Sequence, residues 1–167
     1  IYEVLEGTAH LLLQKTEQER VVDVFLIEGH AGDKLTVPPN HGHVLINPGE
    51  KLLATGNLIS RRCGADYALW RRRKGGAYYE VEGLRFVNNL NYGNVPEIKM
   101  KAPQNSLSKE LRLTELLLKE PNDFRFLTDP SIYIEEPWQE LPLNPNAIVQ
   151  HSRTATSQTA HYLNASR

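Results

Sequence analysis

The feature that most constrains this chain is a row of short apolar-alternating runs, broken at close intervals by turn residues, across its first ninety positions. The runs lie at 1–6 (IYEVLE), 9–15 (AHLLLQK), 21–28 (VVDVFLIE), 34–37 (KLTV), 43–46 (HVLI), 51–60 (KLLATGNLIS), 77–81 (AYYEV) and 84–88 (LRFVN). Between them come Gly7-Thr8, Glu17 to Arg20, Gly29 to Asp33, Asn47-Pro48-Gly49, Gly64, Gly75-Gly76 and Gly83. A period of two residues is the strand period, and evenly spaced short strands close into a sandwich or barrel. The fold class expected is therefore mainly β.

After about residue 95 the texture changes. Ser108 is placed to cap a helix over 109–119 (KELRLTELLLK), and Pro121 ends it. Leucines 113, 116 and 117 make one apolar stripe, which either covers the β body or meets a partner helix. FRFLTDPSIY at 124–133 returns to the body. From Pro137 the chain carries prolines 137, 142 and 145 and then HSRTATSQTAHYLNASR, too polar to bury much apolar surface. The division expected is a folded unit over 1–136 and a loosely ordered tail over 137–167.

With 167 residues the chain is one domain, or one domain with an appendage, and its 19 basic against 20 acidic residues give no general case for nucleic acid or membrane binding. The basic run Arg71-Arg72-Arg73-Lys74 is either a solvated loop or a patch for phosphate or a partner. Cys63 is the single cysteine, so neither a disulfide framework nor a thiolate cluster is available. No signal peptide and no long apolar run stands out, and the expected location is cytoplasmic. Asn164-Ala165-Ser166 is a formal glycosylation sequon with nothing else to suggest secretion. No GxGxxG, Walker loop, HExxH or CxxC occurs. Gln14 reads as structural, and His10 and His30 as surface or turn residues.

The stretch LTVPPNHGHVLIN at 35–47 holds the chemistry-bearing pattern. Pro38-Pro39 stops a strand, Asn40 to Gly42 turns the chain, and His43 opens the next strand. On the residues alone His43 is either structural or held there to bind something. Gly32, Pro38, His43 and Asn47 follow the spacing Gly-x5-Pro-x4-His-x3-Asn. Gly32 allows a turn, Pro38 closes a strand where its missing N–H costs nothing, and Asn47 can tie the next turn to the backbone. This spacing resembles the second motif of the cupins, small β-barrels of the double-stranded β-helix, jelly-roll type. The resemblance makes His43 a metal ligand. The matching glycine of the first cupin motif is Gly7, which puts that motif's glutamate and two histidines upstream of Ile1. Neither Glu3, which faces away by strand parity, nor Glu6, too far along, replaces them. His41 has the spacing to His43 but no partnering glutamate.

One branch looks closer. IYEVLEGTAHLLLQK, VPPNHGHVLINPGEKLLATGNLISR and DYALWRRRKGGAYYEVEG, in that order, resemble the cupin-type phosphoglucose isomerases, the archaeal kind of glucose-6-phosphate isomerase, over about residues 1–133. The resemblance implies an enzyme of glycolysis and gluconeogenesis that interconverts glucose 6-phosphate and fructose 6-phosphate. It implies a divalent metal, Fe2+ (iron) first with Mn2+, Ni2+ or Zn2+ as alternatives, a sugar-phosphate ligand and a homodimer. Tyr2 and Tyr67 match two tyrosines of the sugar pocket, and Ala65 stands where some relatives have histidine. The chain is expected to lack part of the site at its N-terminal side and to be inactive alone. The competing expectations are another cupin metalloenzyme and a non-catalytic sugar-binding cupin.

Overall fold

The computed structural model describes residues 1–81, 85–103, 107–133, 139–142 and 148–149. In chain order the elements are β1 (Tyr2–Glu6), β2 (Thr8–Glu17), β3 (Arg20–His30), β4 (Lys34–Leu35), β5 (His41–Ile46), β6 (Ala54–Asn57), α1 (Ala68–Arg73), β7 (Tyr78–Val81), β8 (Arg85–Asn88), β9 (Lys99–Lys101), α2 (Leu113–Lys119), β10 (Glu140–Leu141) and β11 (Ile148–Val149). The fold is mainly β. Among the described residues the strands form three open sheets, ordered β4-β1-β6, β10-β9-β3-β2-β5 and β11-β8-β7.

The second sheet is the middle layer. Its long hairpin β2–β3 is buried on both faces, because alternate residues serve two different cores. Ala9, Leu11 and Leu13 of β2 join Phe25 and Ile27 of β3 against Val4 and Leu35 of the first sheet. Leu12, Val24 and Leu26 point the other way, onto Tyr78 and Phe86 of the third sheet. A third core, Ile1, Leu113, Leu116 and Phe124, seats α2 against the end of β1.

Local sequence explains the connections. Gly7, alone between β1 and β2, has φ +84°, and a Cβ there would run into the Leu52 carbonyl. Gly32 turns the chain into β4 with φ +93°, as its place in the motif requires. Asn47 ties the turn after β5 through both side-chain atoms. Its Nδ2 donates to the Lys51 carbonyl (2.8 Å) and its Oδ1 accepts from the Gly49 N–H (3.2 Å).

Two expectations need correction. The basic run Arg71–Lys74 is not a loop: residues 68–73 are helical, with Lys74 closing the helix in the left-handed region at φ 58°. Positive side chains beside the helix's free carbonyls stabilise that end. The helix expected over 109–119 begins only at Leu113. Ser108 makes a local turn instead, its Oγ accepting from the Glu110 N–H (3.2 Å). The first N–H of α2 is taken by a carboxylate from far away in sequence, Glu3 Oε2, at 3.1 Å. Two short strands, β10 and β11, lie within residues 137–167. β10 pairs antiparallel with β9 and β11 pairs parallel with β8. The remainder of that stretch lies mostly outside the described residues.

Candidate functional site

Tyr2, His43 and Tyr67 come from three different elements. Tyr2 is the first residue of β1, the central strand of its sheet, and stands opposite Leu35 on one side and Asn57 on the other. His43 stands on β5 directly opposite Leu13 of β2. Directly opposed residues share a face, and Leu13 belongs to the core between the first two sheets. The imidazole therefore enters that space from the second sheet while the phenol enters it from the first. They meet there: Tyr2 Oη and His43 Nε2 are 2.9 Å apart, with ring centroids 5.6 Å apart and the planes inclined by 65°.

Both groups are held in their neutral forms. Burial lowers the His43 pKa. Burial raises the Tyr2 pKa; Asn57 works against this and the neighbouring Tyr67 hydroxyl adds to it. A neutral imidazole and an un-ionised phenol in contact make a pair that can accept a proton at one atom and release one at another.

Tyr67 caps the N-terminal end of α1, its carbonyl accepting from the Arg71 N–H (2.9 Å). It is the most open of the three, at 58% exposed. The Asp66 carboxylate beside it accepts from the Ala68 N–H (2.9 Å) and fixes the entry to the helix.

His41 was expected on the turn, but β5 begins with it. It shares the inward face with His43, its ring against Phe25 at 5.5 Å and its Nδ1 within 2.9 Å of the Pro39 carbonyl. Two imidazoles thus point into one space. Among the described residues no group of three or more His, Cys, Asp or Glu could hold a metal ion. The described residues do not by themselves fit a metal, and His43 Nε2 is already engaged by Tyr2.

Two histidines read as surface or turn residues part company. His30 is exposed, whereas His10 is 2% exposed. Its Nδ1 lies 2.9 Å from both carboxylate oxygens of Glu80, and its Nε2 lies 2.9 Å from Glu28 Oε2. It faces the third sheet, away from the Tyr2–His43 pair, stacked on Phe86. Two residues beside the site escaped sequence reasoning. Asn57 had no signal of its own. Trp70 had one, in the glycines at 42 and 76 that its ring presses upon.

Comparison with known proteins gives one result. Residues 1–97 match the family model described as Glucose-6-phosphate isomerase (GPI), a span that includes Tyr2, His43 and Tyr67. No curated protein and no solved structure matches the chain.

Proposed function

The chain belongs to the glucose-6-phosphate isomerase family, and from that premise we propose that it interconverts glucose 6-phosphate and fructose 6-phosphate in a cupin-type site between the first two sheets. The observation that carries this reading is the Tyr2–His43 contact, 2.9 Å, inside the region that matches the family. Aldose–ketose isomerisation moves a hydrogen between C1 and C2 and shifts electron density between two sugar oxygens. Groups that hold a proton at a defined atom serve that change. Here the Tyr2 hydroxyl is such a group, placed to donate a hydrogen bond to a developing oxygen charge. Tyr67, open to solvent, meets the substrate as it enters. An enediol route and a hydride shift both use these groups.

A divalent metal, Fe2+ or a similar ion, belongs to the proposal with His43 as one ligand among several. The described residues do not complete that set, and no step above passes through it. The proposal also includes a homodimer and a cytoplasmic location. Among the described residues no helix is long and apolar enough to cross a membrane.

The test is turnover of fructose 6-phosphate by protein freed of host isomerase, made as residues 1–167 and together with whatever coding sequence adjoins Ile1. Turnover that copurifies with bound metal in the longer form, and is essentially absent from 1–167, is the expected result. Sugar-phosphate binding without turnover in both forms would replace the isomerase with a binding protein.

A further inference from the structure

We infer that Trp70 is a positioning residue for Tyr67: its indole, wedged between Gly42 and Gly76, sets where α1 lies and so where the Tyr67 phenol stands relative to Tyr2. This rests on the proposed reading of Tyr67 as a substrate-facing residue.

The wedge is tight on both sides. A Cβ added to Gly42 would come within 2.8 Å of Trp70 Nε1, and one added to Gly76 within 2.7 Å of Cζ3. Both are closer than side-chain carbons approach, so only glycine leaves room for the ring. Gly42 immediately precedes His43 on β5, so the ring joins α1 to the strand that carries the imidazole. The other side of the ring faces the start of the β7–β8 hairpin.

The C-terminal end of α1 is fastened separately. Asn89 Nδ2 donates to the carbonyls of Arg73 (2.8 Å) and Gly76 (2.9 Å), and Tyr92 Oη to that of Gly75 (2.9 Å). Buried Gln14, opposite Gly42 on β2, accepts from the Ala77 N–H (2.7 Å). Tyr67 stands at the other end, three residues before Trp70, where the side-chain bond is the local one from Asp66. A helix of six residues does not hold itself together in water. Its place is imposed from outside, and the indole between Gly42 and Gly76 is a contact that imposes it.

The experiment combines amide exchange with a double-mutant cycle, in residues 1–167 together with whatever coding sequence adjoins them. Trp70→Leu should speed exchange over residues 67–74 by at least about tenfold while β2 and β3 stay as protected as before. It should lower kcat/KM for fructose 6-phosphate by up to about 100-fold, the scale of a misplaced contact. In a Tyr67→Phe background it should cost little more, because the hydroxyl it positions is already gone. Trp70→Phe, which keeps a ring in the wedge, should recover much of both losses. Unchanged exchange over 67–74 in Trp70→Leu overturns the inference. So does a kinetic loss that adds in full to that of Tyr67→Phe. Absence of turnover in the unsubstituted protein fails the functional reading instead, and the inference then stands or falls on the exchange result alone.

Discussion

Glu3 brings one carboxylate into a buried place where three donors meet it. Its Oε2 accepts from the Leu113 N–H at 3.1 Å, and its Oε1 lies 3.6 Å from Lys34 Nζ and 3.3 Å from Arg112 Nε. Lys34 is equally buried and donates to the carbonyls of Gly32 (2.9 Å) and Leu111 (2.7 Å). Removing one member of a buried ion pair leaves the other charge uncompensated, at about 3–5 kcal/mol. Glu3→Gln and Lys34→Met should each lower stability by about 3 kcal/mol, measured by denaturant titration. The double variant should recover a large part of that, and simple addition of the two losses would show that the pair is not coupled. At the proposed site the expected effects are catalytic. Tyr2→Phe keeps the ring and removes the hydroxyl, so kcat/KM should fall by the equivalent of about 1–3 kcal/mol with metal content unchanged. His43→Ala should reduce metal content and turnover together. Loss of turnover with full metal content would leave His43 a proton carrier and not a ligand.

At the scale of elements, the β7–β8 hairpin is latched to the middle sheet by His10. An imidazole can donate from both nitrogens only when protonated, and here each nitrogen faces a carboxylate, Glu80 on β7 and Glu28 on β3. Glu28 also lies 3.2 Å from His30. Burial works to lower the His10 pKa, but the hydrogen bonds and charges of Glu80 and Glu28 outweigh it, and the net shift is upward. A folded pKa above the unfolded value of about 6.5 means this stabilisation is complete below that pH. It is lost as pH rises through the folded pKa. The melting temperature should therefore fall as pH is raised above about 6.5, and His10→Gln should flatten that slope. An identical slope in His10→Gln would assign the pH dependence elsewhere. The β2–β3 turn offers the opposite kind of change. Gln18 and Glu19 both have positive φ, 48° and 62°, a turn that suits Asn-Gly. Gln18→Asn should stabilise by about 0.5–1 kcal/mol, leaving untouched the ion pair of Glu19 with Arg72.

Across the whole molecule, strands were legible wherever alternation and turn residues agreed, as at β1 to β3; the Gly32 turn followed from its missing Cβ and the Asn47 turn from its side-chain amide. The rest depended on distant partners. RRRK shows no apolar stripe, so nothing local announces α1; Trp70 rests against Gly42 on β5 and Gly76 just before β7. α2 begins where Glu3 can reach it, not at Ser108. His10 looked like a surface residue because strand parity separates two faces, and on β2 both faces are buried. The Tyr2–His43 contact was not visible either, since two residues 41 apart meet only once two sheets are stacked. β10 and β11 were hidden by polar surroundings, and their pairing gives a further expectation. Truncation after residue 138 removes both strands and the Lys101–Glu140 pair (2.8 Å). The melting temperature should drop by about 2–4 °C for each kcal/mol lost, and no change would mean these pairings contribute nothing.

The two-residue turn between β2 and β3 has one more consequence, for the order in which the chain assembles. Ten residue pairs, with one register shift between Lys15 and Thr16, follow from closing that one short loop, whereas the Glu3–Leu113 bond must close a loop of 110 residues. Loop-closure entropy favours the short loop first. The hairpin is therefore the natural nucleus, and α2 docks late. Leu12→Ala, in the nucleus, should chiefly slow refolding, whereas Glu3→Gln should chiefly speed unfolding, a difference that stopped-flow kinetics reads directly.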